Sequence, residues 1–453
     1  MKKNLSIYLV LLLSAFVAVS CGSSDEEQYE LSPFAYIRTF GIGNIKSAYP
    51  SFTSDGKDTT VVKTVSFANV AFTIDQVTGE IYNNDSLTYA TDVSKVVINM
   101  SADGVPSIYN DSTGTYDNIY ASDSIDFTLP RKFRVYSADA SYYKDYTISI
   151  NVHQVEPEKM VWDRFPAVEG VTPVRALESD GKMYLFGKNA AGDAVVAVSA
   201  VDDVAWDVTA ASTLPVEAMA TINIFKGKFY AVANGDVYSS SDSRQWDVVK
   251  AGTGAVAIVG ASDDDGKLWI SGEQGVLCSV DGVSFDAVGA LPEGFPLYGV
   301  SVMSYPLCHN KGIIRYMLVG YTTSTMDGGV SVWSKLSNEE NWVCYDDANN
   351  AFACPALRNV AVVRYDNFLY ALGGAGIVGG NKVSAFSSFY ISRDNGIVWK
   401  KNSGFYQLLP EELMGNDAAF AVAVDSRNYM WIINDGVNGG VWKGIINRLG
   451  FKK

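Results

Sequence analysis

The chain is poor in histidine, in cysteine and in positive charge. Only two histidines, His153 and His309, occur in 453 residues, which excludes a centre built on several imidazoles. There are five cysteines and no Cys-x-x-Cys pair, so nothing reads as a structural zinc site, and no metal or cofactor is expected. Lys and Arg number 35 against 50 Asp and Glu, a net charge of −15. That balance argues against nucleic acid as a partner, because duplex phosphates demand clustered cations. It also argues against a face lying flat on anionic lipid. Long apolar runs are missing except one, Ile7 to Val19, which is short for a spanning helix. What is abundant is apolar and aromatic: 48% and 12% of residues, the composition of a globular protein rather than of a disordered or collagen-like chain.

The apolar run follows Lys2 and Lys3 and ends in Ala18-Val19-Ser20-Cys21, so residues 1–20 read as an export signal. This ending resembles the lipobox of bacterial lipoproteins. The resemblance implies that Cys21 is diacylated and anchors the chain to a membrane as its new N-terminus. Residues 21–30 form a polar, acidic tether beginning Gly22-Ser23-Ser24-Asp25-Glu26-Glu27. In lipoproteins of the Bacteroidota type such a run resembles a signal for display on the outer face, so the expected location is the outer membrane, facing outward. Removing residues 1–20 takes away two lysines and no acid, which leaves the protein more acidic still. With Cys21 lipidated, Cys278, Cys308, Cys344 and Cys354 remain and allow three pairings; Cys344 and Cys354 lie close enough to close a small loop and are the expected disulfide.

Composition shifts near residue 155. All nine tryptophans lie between Trp162 and Trp442, whereas residues 31–155 hold none and are dense in Tyr, Thr, Ser, Asp and Val. Within that first part, Thr60–Val65, Lys95–Met100, Phe133–Tyr136 and Tyr146–Val152 alternate in period two and are separated by turn clusters such as Ser54-Asp55-Gly56-Lys57. Short strands over such a length predict an Ig-like β-sandwich, and Lys144–Ile150 resembles the closing strand of bacterial Ig-like modules. Asp111, Asn118 and Asp123 suggest calcium, but acidic turns of this kind are ordinarily solvated.

Residues 156–453 repeat. A turn followed by an aromatic strand appears as Asp180-Gly181-Lys182-Met183-Tyr184-Leu185-Phe186-Gly187 and returns around Tyr230, Trp269, Tyr316, Tyr370 and Trp431. The intervals between these marks are 46, 39, 47, 54 and 61 residues, the length of propeller blades. Most copies are followed by a second aromatic: Trp206, Trp246, Phe285, Trp342 and Trp399. The expected architecture is all-β: an Ig-like sandwich, then a six-bladed β-propeller. The sixth repeat runs out near Ile446, while Lys159–Asp163 looks like an outer strand with no blade before it. That strand should complete the last blade as an N-terminal clasp. A seventh blade requires a further sheet hidden in residues 286–345.

Ser392-Arg393-Asp394-Asn395-Gly396-Ile397-Val398-Trp399 resembles the Asp-box, Ser-x-Asp-x-Gly-x-x-Trp, with shortened relatives at Ser240–Trp246 and Ser279–Phe285. The repeat is also similar to kelch and galactose-oxidase-like propellers. The whole plan resembles a Bacteroidota surface-lipoprotein family carrying a domain of unknown function. These motifs specify fold, not chemistry. A galactose-oxidase copper site needs two histidines, and the propeller has only His309. The arginines are too scattered for a sialidase triad, and the acidic pairs Asp202-Asp203, Asp263-Asp264-Asp265 and Asp346-Asp347 read as solvated turns. Gly373–Gly380 lacks the following helix that phosphate binding needs.

The expected function is therefore non-catalytic: a surface lipoprotein whose propeller binds an extracellular ligand, either a glycan or an envelope protein. Tyr298, Tyr305, Tyr321, Trp333 and Phe405-Tyr406 are the candidate contacts. The alternatives are a propeller glycoside hydrolase or polysaccharide lyase, and a scaffold or adhesion subunit of an envelope complex.

Overall fold

The computed structural model describes residues 31–446 except 53–57, 121, 157, 273, 327–328, 347–348, 403–406 and 437–438. Cys21, the signal and the tether lie outside the described residues, as do Phe405 and Tyr406. The chain divides into two units between Glu156 and Pro157. Among the described residues no helix is long and apolar enough to cross a membrane.

In the first unit the alternating strands form where their pattern predicts. Val96 and Ile98 are buried while Val97 is exposed, and Phe133, Val135, Tyr146 and Ile148 point inward from the strands Arg131–Tyr136 and Tyr143–Ser149. A three-stranded sheet is built from Ile37–Ile42, Val96–Ala102 and Ser124–Ile125. A six-stranded sheet runs in the order Phe72–Asp75, Glu80–Asn83, Tyr143–Ser149, Arg131–Tyr136, Val105–Asn110, Thr115–Asn118. Both contribute to one apolar core. Tyr146 ties them together: its hydroxyl donates to Gln76 Oε1 at 2.7 Å and accepts the Ile37 N–H at 3.1 Å. The acidic turns are engaged locally, Asp111 with Arg131 at 3.3 Å and Asp123 with the Tyr120 N–H at 2.9 Å.

The second unit is a succession of antiparallel sheets, each made by a strand, a turn, the aromatic repeat strand and its return. Tyr184, Tyr316, Tyr370 and Trp431 all sit on the second strand of their sheets. A seven-stranded sheet contains two such repeats joined through the 16-residue strand Asp247–Ser262. One apolar cluster joins the two repeats of the seven-stranded sheet, the others draw side chains from neighbouring sheets, and the series returns on itself: Met183, Leu185 and Val195 of the first sheet pack with Trp431, Ile433 and Val441 of the last. This closed ring is the arrangement of a β-propeller.

The ring is closed by hydrogen bonds as well as by packing. Met160–Phe165 runs antiparallel to Gly440–Ile446 over six paired residues, Met160 opposite Ile446 and Phe165 opposite Val441, so the strand that opens the unit completes its last sheet. Trp162 lies over Gly444, where an added Cβ would come within 2.5 Å of the indole, and its Nε1 donates to the Leu408 carbonyl at 2.8 Å.

Three turns share one device. Ser392 Oγ donates to Asp394 Oδ1 at 2.8 Å and accepts the Gly396 N–H, while Asp394 accepts the Val398 N–H at 2.9 Å. Asp242 accepts the N–H groups of Arg244 and Gln245, and Asp281 those of Val283 and Ser284 at 2.8 and 2.7 Å. The aromatics that follow are buried at 246 and 399, each indole N–H donating to its own turn at 2.9 Å. These backbone donors hold the carboxyls of Asp242 and Asp281 below the usual carboxylate range.

The expected disulfide is not formed: Cys278, Cys308, Cys344 and Cys354 are all free. Cys344 is exposed on a short outer strand and its Sγ accepts the Asp346 N–H at 3.4 Å. The Cys354 thiol is instead packed against an inter-sheet core, and burial pushes its pKa up. Burial raises the Cys344 thiol as well, and Asp346 acts on both.

Two measurements check these interactions. Gly444→Ala should destabilise the protein by about 1–3 kcal/mol through overpacking against Trp162, and the Trp162→Ala background should remove most of that penalty. A double-mutant cycle in urea reads the coupling; additivity would separate Gly444 from the clasp. For the turns, a lowered folded pKa gives stability that is present above the unfolded aspartate value of about 3.9 and is lost as pH falls through the folded value. The Tm gap between wild type and Asp281→Asn should thus be widest above about pH 5 and shrink on acidification; a gap independent of pH would remove the carboxylate from the argument.

Candidate functional site: the propeller channel

The inner strands meet around a channel. Thr172–Ser179 lies against Phe420–Val424, which lies against Ala361–Tyr365, then Tyr298–Pro306, then the second half of Asp247–Ser262. The short helical turn Val216–Thr221 packs against both Thr172–Ser179 and Tyr298–Pro306. They enclose a cavity of about 1370 Å³. Its size is ample for a sugar or a peptide side chain.

The structure separates the candidate aromatics. Tyr298 and Tyr305 line the cavity from one strand. Tyr305 is largely buried, its hydroxyl donates to Asn395 Oδ1 at 3.0 Å, and the Arg364 guanidinium lies over its ring at 4.3 Å. Burial raises the Tyr305 hydroxyl to about 12, so it stays protonated and acts as a donor.

Tyr321 and Trp333 do not belong to the channel. Tyr321 is fully buried; its hydroxyl donates to the Leu357 carbonyl and accepts the Val360 N–H, locking two sheets together. Trp333 packs edge-on against Phe295 at 5.2 Å and its Nε1 donates to Ser331 Oγ at 2.8 Å. Both fill the wedge between sheets, which needs large side chains, and sequence spacing does not distinguish that wedge from a channel wall.

The channel also holds residues that sequence pattern did not single out. Arg175 and Arg364 line it, as do the carboxylates Glu178 and Glu217. Glu178 Oε1 accepts the Gly181 N–H at 2.9 Å and is committed to its hairpin turn. Arg175 reaches across the channel: Nη1 faces the Val300 carbonyl and Nη2 faces Asn223 Oδ1, both at the long distance of 3.4 Å. Desolvation lowers its pKa to about 10, which leaves it charged at neutral pH. Pro173 flanks the bulge that directs it inward, and a proline inside a strand is the sequence signal for such a bulge.

A ring of antiparallel sheets around a channel defines the protein as a β-propeller. The chain belongs to the DUF6242 family: residues 156–453 match the DUF6242 beta propeller domain, and residues 40–150 match the N-terminal domain of unknown function of the same family. No curated protein matches the chain. Among solved structures it is similar to a DUF4623 family protein from Bacteroides eggerthii, with 12% identity, 90% of this chain and 98% of that one covered, and a TM-score of 0.34. It is similar also to the six-bladed fungal lectin of Aleuria aurantia, described with its fucose recognition mode, at 9% identity, coverage of 61% and 92%, and a TM-score of 0.35. A third similar structure is the β-propeller domain of the Trilobed protease from Pyrococcus furiosus, at 9% identity, coverage of 61% and 95%, and a TM-score of 0.31.

Proposed function

We propose that the protein is a lipoprotein of the outer membrane, anchored through Cys21 and facing outward. In this reading an Ig-like sandwich over residues 31–155 precedes a six-bladed propeller over residues 156–453, and the propeller binds an extracellular ligand without transforming it. The count of six is supported by the pairing of strands in fours, with Asp247–Ser262 serving two consecutive blades and a single four-stranded sheet filling most of the 286–345 stretch. The Ig-like assignment is supported by two sheets on one core and by Glu80–Asn83 running parallel to Tyr143–Ser149. The anchor is supported by the Ala18-Val19-Ser20-Cys21 ending and the acidic run after it.

One observation carries the binding role. The channel is a formed cavity, and one of its walls presents the aromatic rings of Tyr298 and Tyr305 beside cationic and hydroxyl groups. Aromatic walls with a few directed polar groups suit a sugar ring or a peptide side chain.

Cys21→Ser should release the protein from the membrane fraction and abolish incorporation of labelled fatty acid; retention of both would sink the anchor. For the channel, purified protein should bind members of a glycan panel or an envelope protein without cleavage products. Tyr298→Ala should weaken that binding by about 1 kcal/mol or more. Cleavage products would favour the hydrolase or lyase, and envelope-protein binding unaffected at Tyr298 would favour the scaffold.

A further inference from the structure

Two β-bulges place unlike groups into the same channel. In Thr172–Ser179 the register slips between Pro173 and Arg175, leaving Val174 as an extra residue. In Tyr298–Pro306 it slips between Tyr298 and Ser301, at Gly299 and Val300. A bulge re-aims a side chain and frees backbone groups from the ladder. Here the first turns Arg175 away from its neighbours Val174 and Ala176, which pack into the two flanking cores. The second brings the Val300 carbonyl to meet it.

The guanidinium so placed is underused. It has five N–H donors in a fixed fork, yet its two contacts are long, both go to neutral acceptors, and Nε has no partner. Among the described residues no carboxylate lies within ion-pair distance, and burial is the only influence on its pKa. Ser304, on the strand opposite, lines the same cavity and its Oγ also lacks a partner. An enclosed, unpaired charge is costly, and an anion that restores its lost hydration gains correspondingly.

We propose that the channel is an oxyanion site centred on Arg175, taking the carboxylate or sulfate group of an acidic ligand. The planar fork matches two oxygens of such a group, and Asn223 supplies a further polar contact. The rest of the protein is strongly acidic and repels free anions, so a saturable anion site points back to this local cation. The inference rests on the channel being the ligand site.

The test is calorimetric titration of the purified protein with sodium glucuronate, sodium sulfate and glucose at constant ionic strength. Saturable binding of glucuronate, of sulfate or of both, with glucose silent, is the expected result, and the pattern identifies which oxyanion the site takes. Arg175→Met should weaken that binding at least about tenfold, the loss of a charge-assisted hydrogen bond, while Arg175→Lys should retain part of it. The glucuronate-against-glucose comparison needs only wild type, so it stands even if a variant misfolds. Equal binding of glucose and glucuronate, no saturable anion binding, or anion binding unchanged in a folded Arg175→Met would each overturn the proposal. Binding of neutral panel glycans without anion binding would sink this inference alone. Anion binding with neither glycan nor protein captured would sink the broader reading alone.

Discussion

A closed ring of sheets depends on its seam. The other sheets of the second unit are built from strands close together in the chain, but the last needs the strand Met160–Phe165, which lies far away in sequence from its partner Gly440–Ile446. Without it the outer edge of Gly440–Ile446 would carry unpaired N–H and C=O groups. The seam is also supported on the side of the first sheet, where Arg427 pairs with Asp202 and Lys443 donates to the Val201 carbonyl.

The remaining architecture follows from filling wedges. Radially arranged sheets leave space that widens outward, and the repeat meets it with aromatics: Trp269 against Tyr316 at 6.1 Å, Phe186 against Trp246 at 6.1 Å, Trp206 against Trp431 at 6.3 Å. Edge-to-face geometry lets such rings pack while the sheets keep their angle. The aspartate turns complement this by satisfying backbone N–H groups where the chain reverses. Both features are energetic necessities of the fold, and for that reason they say little about ligand chemistry.

Chemistry enters where regularity is broken. Arg175 enters the channel at a bulged position, whereas Arg364 and Glu178 line it from regularly paired strands and Glu217 from a helical turn. Arg175 thus differs from Arg131 and Arg134, which meet Asp111 and Asp145.

Period-two alternation, the recurring aromatic strand and its blade-length spacing were legible in the sequence because each reflects local backbone geometry: alternate residues face opposite sides of a strand wherever that strand lies. The boundary near residue 155 and the pairing of the first propeller strand with the last were likewise readable, from composition and from a repeat left one strand short. Which aromatics face a ligand was not readable. Tyr305 and Trp333 are both aromatics outside the repeat's register marks, and only the packing of separate sheets puts one at the channel and the other in a wedge. The free state of Cys344 and Cys354 was equally beyond it, and Pro173 marks a bulge without saying that Arg175 meets Asn223 and Val300 there. Each depends on surroundings supplied by distant segments, and sequence neighbourhood carries no record of those.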